Sequence, residues 1–268
     1  MSTVLRDLKD GVLTVTLNRP ERRNAWTGEM ETALRAALTD ATHNPEVRVV
    51  VLTGAGAAFC AGADAEFLRQ LRSGAATLTE AEANPWPEAR PEFKGKFAMP
   101  AALPKPVIAA INGPAVGIGY ALALYSDIRL ASESGAFIAS FARMGLIAEK
   151  GIDWALAGIV GHGRAAELLL SGRKMGAAEA LRIGLVTSVF RDDAFRAAVQ
   201  DYAAEIAAKV SPRSAAVIKR QLQGLRFDPP AEILARGDRE LAASLQSADF
   251  REAMAAMSER RPPVFPKP

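Results

Sequence analysis

Val107-Ile-Ala-Ala-Ile-Asn-Gly-Pro-Ala-Val-Gly-Ile-Gly-Tyr-Ala121 decides the fold. Its first five residues are all apolar, as expected of a strand buried on both faces. Glycines at 113, 117 and 119 then mark a tight turn, an apolar helix runs on through Leu124, and a strand follows around Ile128-Arg-Leu130. Strands alternating with helices in this way imply βαβ units and a mostly parallel sheet, hence the α/β class.

Upstream, Val12-Leu-Thr-Val-Thr-Leu17 alternates with Leu13, Val15 and Leu17 on one face, and Asn18-Arg-Pro20 ends it, as a strand followed by a turn would. Thr27 is placed to cap a helix whose apolar positions Met30, Leu34, Ala37, Leu38 and Ala41 recur at helical spacing up to Asn44-Pro45. Val49-Val-Val-Leu52 is a second buried strand, leading into the turn Gly54-Ala-Gly56. Downstream of about Val189 the pattern changes to helices over 194–210, 212–225, 230–245 and 250–260, separated by Ser-Pro and Pro-Pro breaks. Residues 1–190 therefore read as a core and 191–268 as a helical subdomain. The proline-rich connection over 74–106, with Trp86, Phe93 and Phe97, is either a binding loop or a disordered segment.

Composition excludes several function classes. Thirty-three basic against 30 acidic residues give a net charge of +3, spread along the chain, which offers no nucleic-acid footprint. No apolar run is long enough to span a bilayer, and the N-terminus has neither a secretory h-region nor an Arg- and Ser-rich targeting pattern. Cys60 alone cannot form an internal disulfide and suits a reducing compartment, so the cytoplasm is the expected location. Two distant histidines, His43 and His162, and one cysteine make no metal site; all three read as surface or packing residues.

Two junctions carry chemistry: Ala57-Ala-Phe-Cys-Ala-Gly-Ala-Asp64 after the strand at Val49, and residues 112–121 after the strand at Val107. In a parallel sheet such junctions lie at the carboxyl ends of the strands, where ligands bind. Small residues let backbone N–H groups approach a ligand, and a helix N-terminus adds partial positive charge. The glycine spacing fits neither a dinucleotide fingerprint nor a P-loop, which disfavours a nucleotide-dependent oxidoreductase or kinase. Asp64 reads as a helix cap, and it is also a candidate ligand-binding residue of this turn.

The motifs Leu17-Asn-Arg-Pro20 with Asn24-Ala25, Val51-Leu-Thr-Gly54 with Phe59-Cys-Ala-Gly-Ala-Asp64, Lys105-Pro-Val-Ile-Ala-Ala-Ile-Asn-Gly113, Ser211-Pro-Arg-Ser214, Asp249-Phe-Arg-Glu252 and Arg261-Pro-Pro263 together resemble the crotonase superfamily (enoyl-CoA hydratases and isomerases) in order and spacing. The resemblance covers nearly the whole chain. It implies a spiral of ββα repeats with a C-terminal helical trimerisation subdomain, a homotrimer or hexamer, and an acyl-CoA thioester as substrate. Coenzyme A would enter as part of that substrate, with no separate cofactor. By position, the oxyanion-hole N–H groups fall to Ala63 and Ile118, the latter replacing the usual glycine. The adenine contact falls near Ala61, and Arg22 or Arg23 would have to reach the CoA phosphates because position 21 is Glu.

The two glutamates of the family's hydratases map to Ala121 and Phe141. Neither side chain can position a water or exchange a proton. What remains is Glu149 in Gly145-Leu-Ile-Ala-Glu-Lys-Gly151, where some double-bond-shifting members carry an acidic residue. Flanked by Leu146, Ile147 and Ile152, its carboxylate would be partly desolvated and its pKa raised toward that of a general base, with Lys150 opposing the shift if it folds inward. Phe67, Leu68, Leu71, Trp86, Phe97, Phe141 and Trp154 are candidate walls for an apolar acyl group. The expectation is double-bond isomerisation of an enoyl-CoA with Glu149 as acid/base. Hydration by a single glutamate and non-catalytic acyl-CoA binding are the alternatives.

Overall fold

The computed structural model describes residues 2–75, 89–95 and 97–267, apart from the side chain of Leu71; Trp86, with the rest of 76–88 and residue 96 of the proline-rich connection, lies outside the described residues. Along the chain, β1 (Val4–Lys9) and β2 (Val12–Leu17) form a hairpin, and α1 (Gly28–His43) leads to β3 (Val49–Gly54) and α2 (Ala65–Ser73). Next come α3 (Met99–Ala102), β4 (Val107–Ile111), β5 (Pro114–Val116), α4 (Ile118–Tyr125), β6 (Ile128–Ser132) and β7 (Ala136–Ile138). Then follow α5 (Ile152–Val160), α6 (His162–Ser171), β8 (Lys174–Gly176), α7 (Ala177–Arg182) and β9 (Ser188–Phe190). Four helices end the chain: α8 (Phe195–Lys209), α9 (Pro212–Gly224), α10 (Pro230–Leu245) and α11 (Ala248–Glu259).

The main sheet runs β1-β2-β3-β4-β6-β9, parallel throughout except for the antiparallel edge strand β1. A smaller sheet, β5-β7-β8, stands beside it. The expected strands and helices are all present, but β1 is absent from the sequence reading, as are the three-residue strands β5, β7, β8 and β9. Only Val4 of β1 is buried, so the strand lacks an alternating apolar face. Its true signal is Asp10-Gly11, whose positive φ values of 52° and 76° make the two-residue hairpin turn that glycine and aspartate favour.

Helix α1 starts where Thr27 accepts a hydrogen bond from the Met30 N–H (3.2 Å), and Leu34 and Leu38 are fully buried against the sheet. Truncating either to alanine would cost about 2–5 kcal/mol. Helix α8 closes the opposite face: Phe195, Val199, Ala203 and Ala207 pack on Val49, Val51, Ile108 and Ala110. Helix α9 is tied to the core by buried Lys219, whose Nζ donates to Asp127 Oδ2 (2.7 Å), Pro100 O (2.8 Å) and Lys105 O (3.0 Å). Burial lowers the Lys219 pKa and raises that of Asp127, so the pair holds its charges only through each other.

Several motifs of the resemblance prove to be joints. Ser211 caps α9 by accepting from the Ser214 N–H (3.0 Å), and its hydroxyl donates to the buried carboxylate of Asp249. Arg261 grips Glu252 and holds its carboxyl low, at about 2. Among the described residues no helix is long and apolar enough to cross a membrane.

Candidate active site

Two asparagines build the floor beneath the oxyanion turns. Buried Asn24, held at φ 55°, accepts from Arg19 N–H (2.8 Å) and donates to Ala55 O (2.9 Å) and Ala58 O (2.8 Å). Asn112 accepts from Gly54 N–H (3.1 Å) and donates to Gly56 O (3.0 Å). The turn after β3 is thereby fastened both to the Asn-Arg-Pro segment and to the end of β4. Gly54 is dictated by this closeness, since a Cβ there would sit 2.1 Å from Ala58 O.

The two turns run side by side. Cys60 N–H donates to Pro114 O (3.2 Å) and Val116 N–H donates to Cys60 O (2.9 Å). A Cβ on Gly119 would meet Cys60 Cβ at 2.7 Å, and one on Gly117 would lie 4.0 Å from the Gly62 Cα. Ala63 and Ile118 are the residues that follow this Gly62–Gly117 contact on each strand. Trp26 pairs with the neighbours of Ala63, accepting from Asp64 N–H (3.0 Å) and donating to Gly62 O (2.7 Å), which turns the Ala63 N–H away. Ile118 is the first residue of α4, where an N–H has no intrahelical acceptor. Among the described residues neither N–H donates to another protein group.

Cys60 is the packing residue its sequence context suggested: it is buried, and burial pushes its thiol up to about 11, which does not suit a nucleophile.

Around Ala63 and Ile118 the structure places Phe141, buried and with its ring edge 3.9 Å from a Cβ built on Gly117, and Ala121, buried inside α4. Asp64 caps α2, accepting from Glu66 N–H (2.9 Å), and pairs with Arg19 Nη1 (3.0 Å). The Glu66 N–H, and then Arg19, hold its carboxyl below the usual range. Arg22 and Arg23 are exposed in the turn beside it. The Arg23 carbonyl accepts from Ala61 N–H (3.0 Å), so Ala61 offers a ligand its carbonyl.

Glu149 departs from the expected environment. Its side chain is 39% exposed and faces Lys150 Nζ at 3.8 Å. Leu146 and Ile147, expected to desolvate it, are themselves exposed, and only Ile152 is buried. The segment forms no apolar wall because it is a turn: Gly145, Lys150 and Gly151 all have positive φ, and helix α5 begins only at Ile152. The proposed acyl walls also divide. Phe97 packs edge-on to Trp26 (5.7 Å), whereas Trp154 stacks on Phe227 (5.2 Å) under the Arg226 guanidinium. Phe67 is exposed and Leu68 half-buried. His43 and His162 are exposed, as expected of surface residues. A cavity of about 440 Å³ lies elsewhere, between the end of α1, α3, α9 and α10, and takes no residue from the oxyanion turns.

A family model described as enoyl-CoA hydratase/isomerase matches residues 7–268. The protein named "Probable enoyl-CoA hydratase" in Rhodobacter capsulatus is 39% identical over 267 residues, 98% of this chain and 97% of that one. The 1,2-epoxyphenylacetyl-CoA isomerase of Escherichia coli K12 is 33% identical over 273 residues, 99% of this chain and 98% of its own. A crystal structure of a probable enoyl-CoA hydratase/isomerase from Mycobacterium abscessus superposes with a TM-score of 0.86 at 34% identity, covering 100% of both chains. A family match over nearly the whole chain, relatives above 30% identity along their full length and a shared fold place the chain in the enoyl-CoA hydratase/isomerase family.

Proposed function

We propose that this enzyme moves a carbon–carbon double bond along the acyl chain of an enoyl-CoA. The observation that carries the reading is the replacement of both hydratase glutamates by Ala121 and a buried Phe141 beside the oxyanion turns, with Glu149 the carboxylate left on the neighbouring turn. Glu149 takes a proton from C2 of a 3-enoyl thioester, and the electron pair passes into a dienolate whose oxygen accepts from the Ala63 and Ile118 N–H groups. The same carboxylic acid, half-exposed and so open to exchange of its proton with water, returns a proton at C4, leaving a 2-enoyl thioester. The step is redox-neutral and needs no cofactor beyond the CoA of the substrate.

Electrostatic stabilisation by preorganised donors is the larger part of the barrier lowering in such a scheme, each donor contributing about 2.7–4 kcal/mol. Exposed Arg22 and Arg23 are the groups for the CoA phosphates, and the Ala61 carbonyl is the acceptor for the adenine amino group. Exposed Leu234, Leu241, Leu245 and Met257 on the C-terminal helices support assembly into a trimer or hexamer, and the single reduced Cys60 suits the cytoplasm.

The test offers 3-enoyl-CoA while the conjugated-enoyl absorbance is followed, and crotonyl-CoA while its loss is followed. Isomerisation with wild-type protein, lost in Glu149→Gln, is the expected result. Crotonyl-CoA hydration without isomerisation, or full activity in Glu149→Gln, would overturn the reading. So would tight acyl-CoA binding without turnover.

A further inference from the structure

We infer that Tyr125 is a positioning residue for Glu149, joining the acid/base turn to the helix that carries the oxyanion donor. The inference rests on Glu149 being the acid/base of the proposed reaction. Tyr125 is the last residue of α4 and Ile118 its first. The Tyr125 hydroxyl donates to Lys150 O (2.7 Å), the carbonyl immediately after Glu149.

Lys150 and Gly151 take left-handed φ values of 60° and 72° in succession. A lysine held there persists only where its surroundings over-determine it. The hydroxyl supplies that constraint, and it lies so close that a Cβ on Gly151 would be 2.5 Å from Tyr125 Oη. On the other side, Glu149 O accepts from Ile152 N–H (3.2 Å), opening α5. The backbone of Glu149 is thus bracketed between the start of one helix and the tyrosine at the end of another.

The contrast with Tyr120 on the same helix is informative. The Tyr120 hydroxyl is buried without a hydrogen-bond partner, whereas that of Tyr125 is directed at the one backbone carbonyl that fixes the turn. Phe93 packs edge-on against the Tyr125 ring (6.3 Å) and holds it in place. Eight residues of helix span roughly 10 Å, so a single rigid element sets the separation between the donor at Ile118 and the carboxylate turn. The backbone of the acid/base turn is thereby tied to the helix that carries the oxyanion donor, while the Glu149 side chain stays half-exposed.

The experiment is a double-mutant cycle on the full-length protein, reading kcat and KM for 3-enoyl-CoA in wild type, Tyr125→Phe, Glu149→Gln and the double variant. Tyr125→Phe removes only the hydroxyl and keeps the ring packing. The expected result is a fall in kcat of about tenfold with KM unchanged in the wild-type background, as misplacement of a reacting group produces, and no further fall in the Glu149→Gln background. An undiminished kcat in Tyr125→Phe overturns the inference. Equal losses in both backgrounds also overturn it, because the tyrosine would then act independently of Glu149. Full turnover by Glu149→Gln removes the acid/base reading itself, and the inference with it, whatever Tyr125→Phe does.

Discussion

In the proposed function the oxyanion turns and the Glu149 turn are two halves of one site, and they are held in opposite ways. Around Ala63 and Ile118, buried Asn24, half-buried Asn112 and the backbone of buried Cys60 each engage several backbone groups, and glycines allow backbones to touch. Around Glu149 the side chains are exposed, the backbone holds left-handed residues, and one tyrosine hydroxyl pins the turn. Redundant buried bonds make a preorganised dipole pair that does not reorganise when charge develops. An exposed turn instead lets a carboxylate reach two carbons of a substrate in succession, which a double-bond shift requires. Rigidity is concentrated where charge appears, and freedom where a proton travels.

That contrast is sharpened most by removing one donor without disturbing its scaffold. Ile118→Pro does so, because the first position of a helix tolerates proline while losing its N–H. Steady-state kinetics should show kcat reduced about 10²–10³-fold with the far-UV circular dichroism unchanged. Next in size is Asn24→Ala, which leaves Ala55 O without its side-chain donor and Ala58 O with only the longer bond from Asn112 Nδ2 (3.3 Å). Denaturant unfolding should show a loss of about 2–3 kcal/mol, together with weakened activity, whereas a neutral result would break the claim of a fastened floor.

On the other half of the site, Gly151→Ala places a Cβ against Tyr125 Oη at a positive φ. The expected cost is about 1–2 kcal/mol, with kcat falling more than acyl-CoA affinity as the turn is displaced. The smallest effect concerns Asp64. Its carboxyl is held low by the Glu66 N–H and then Arg19, so the stability it contributes is complete above the ordinary carboxylate pKa and disappears as pH falls through the lowered folded value. Asp64→Asn should therefore be less stable than wild type by about 1 kcal/mol near neutrality, with the difference shrinking below about pH 4, as thermal unfolding across pH would record.

Much of this was legible in the sequence because it is written in periodicity and in small residues. The apolar runs at Val49 and Val107 and the helical spacing from Met30 to Ala41 specify buried elements directly, and all are found. Edge strand β1 was hidden because its side chains face solvent, although Asp10-Gly11 marked its turn. The resemblance to the crotonase superfamily supplied the positions of Ala63 and Ile118, which no periodicity reveals, since a backbone N–H carries no side-chain signature. Apolar neighbours of Glu149 misled because adjacency along a turn is not burial: Leu146 and Ile147 point outward. The backbone pairing of Cys60 with Pro114 and Val116 and the reach of Tyr125 to Lys150 depend on tertiary contacts between segments distant in sequence.

Central to the account is that Glu149 exchanges protons at carbons made acidic by the Ala63 and Ile118 donors. Its most direct test follows incorporation of solvent deuterium at C2 and C4 of a bound enoyl-CoA, by mass spectrometry, for wild type and Glu149→Gln matched in acyl-CoA affinity. The account predicts incorporation by wild type and none above background by Glu149→Gln. Undiminished incorporation by Glu149→Gln would contradict it.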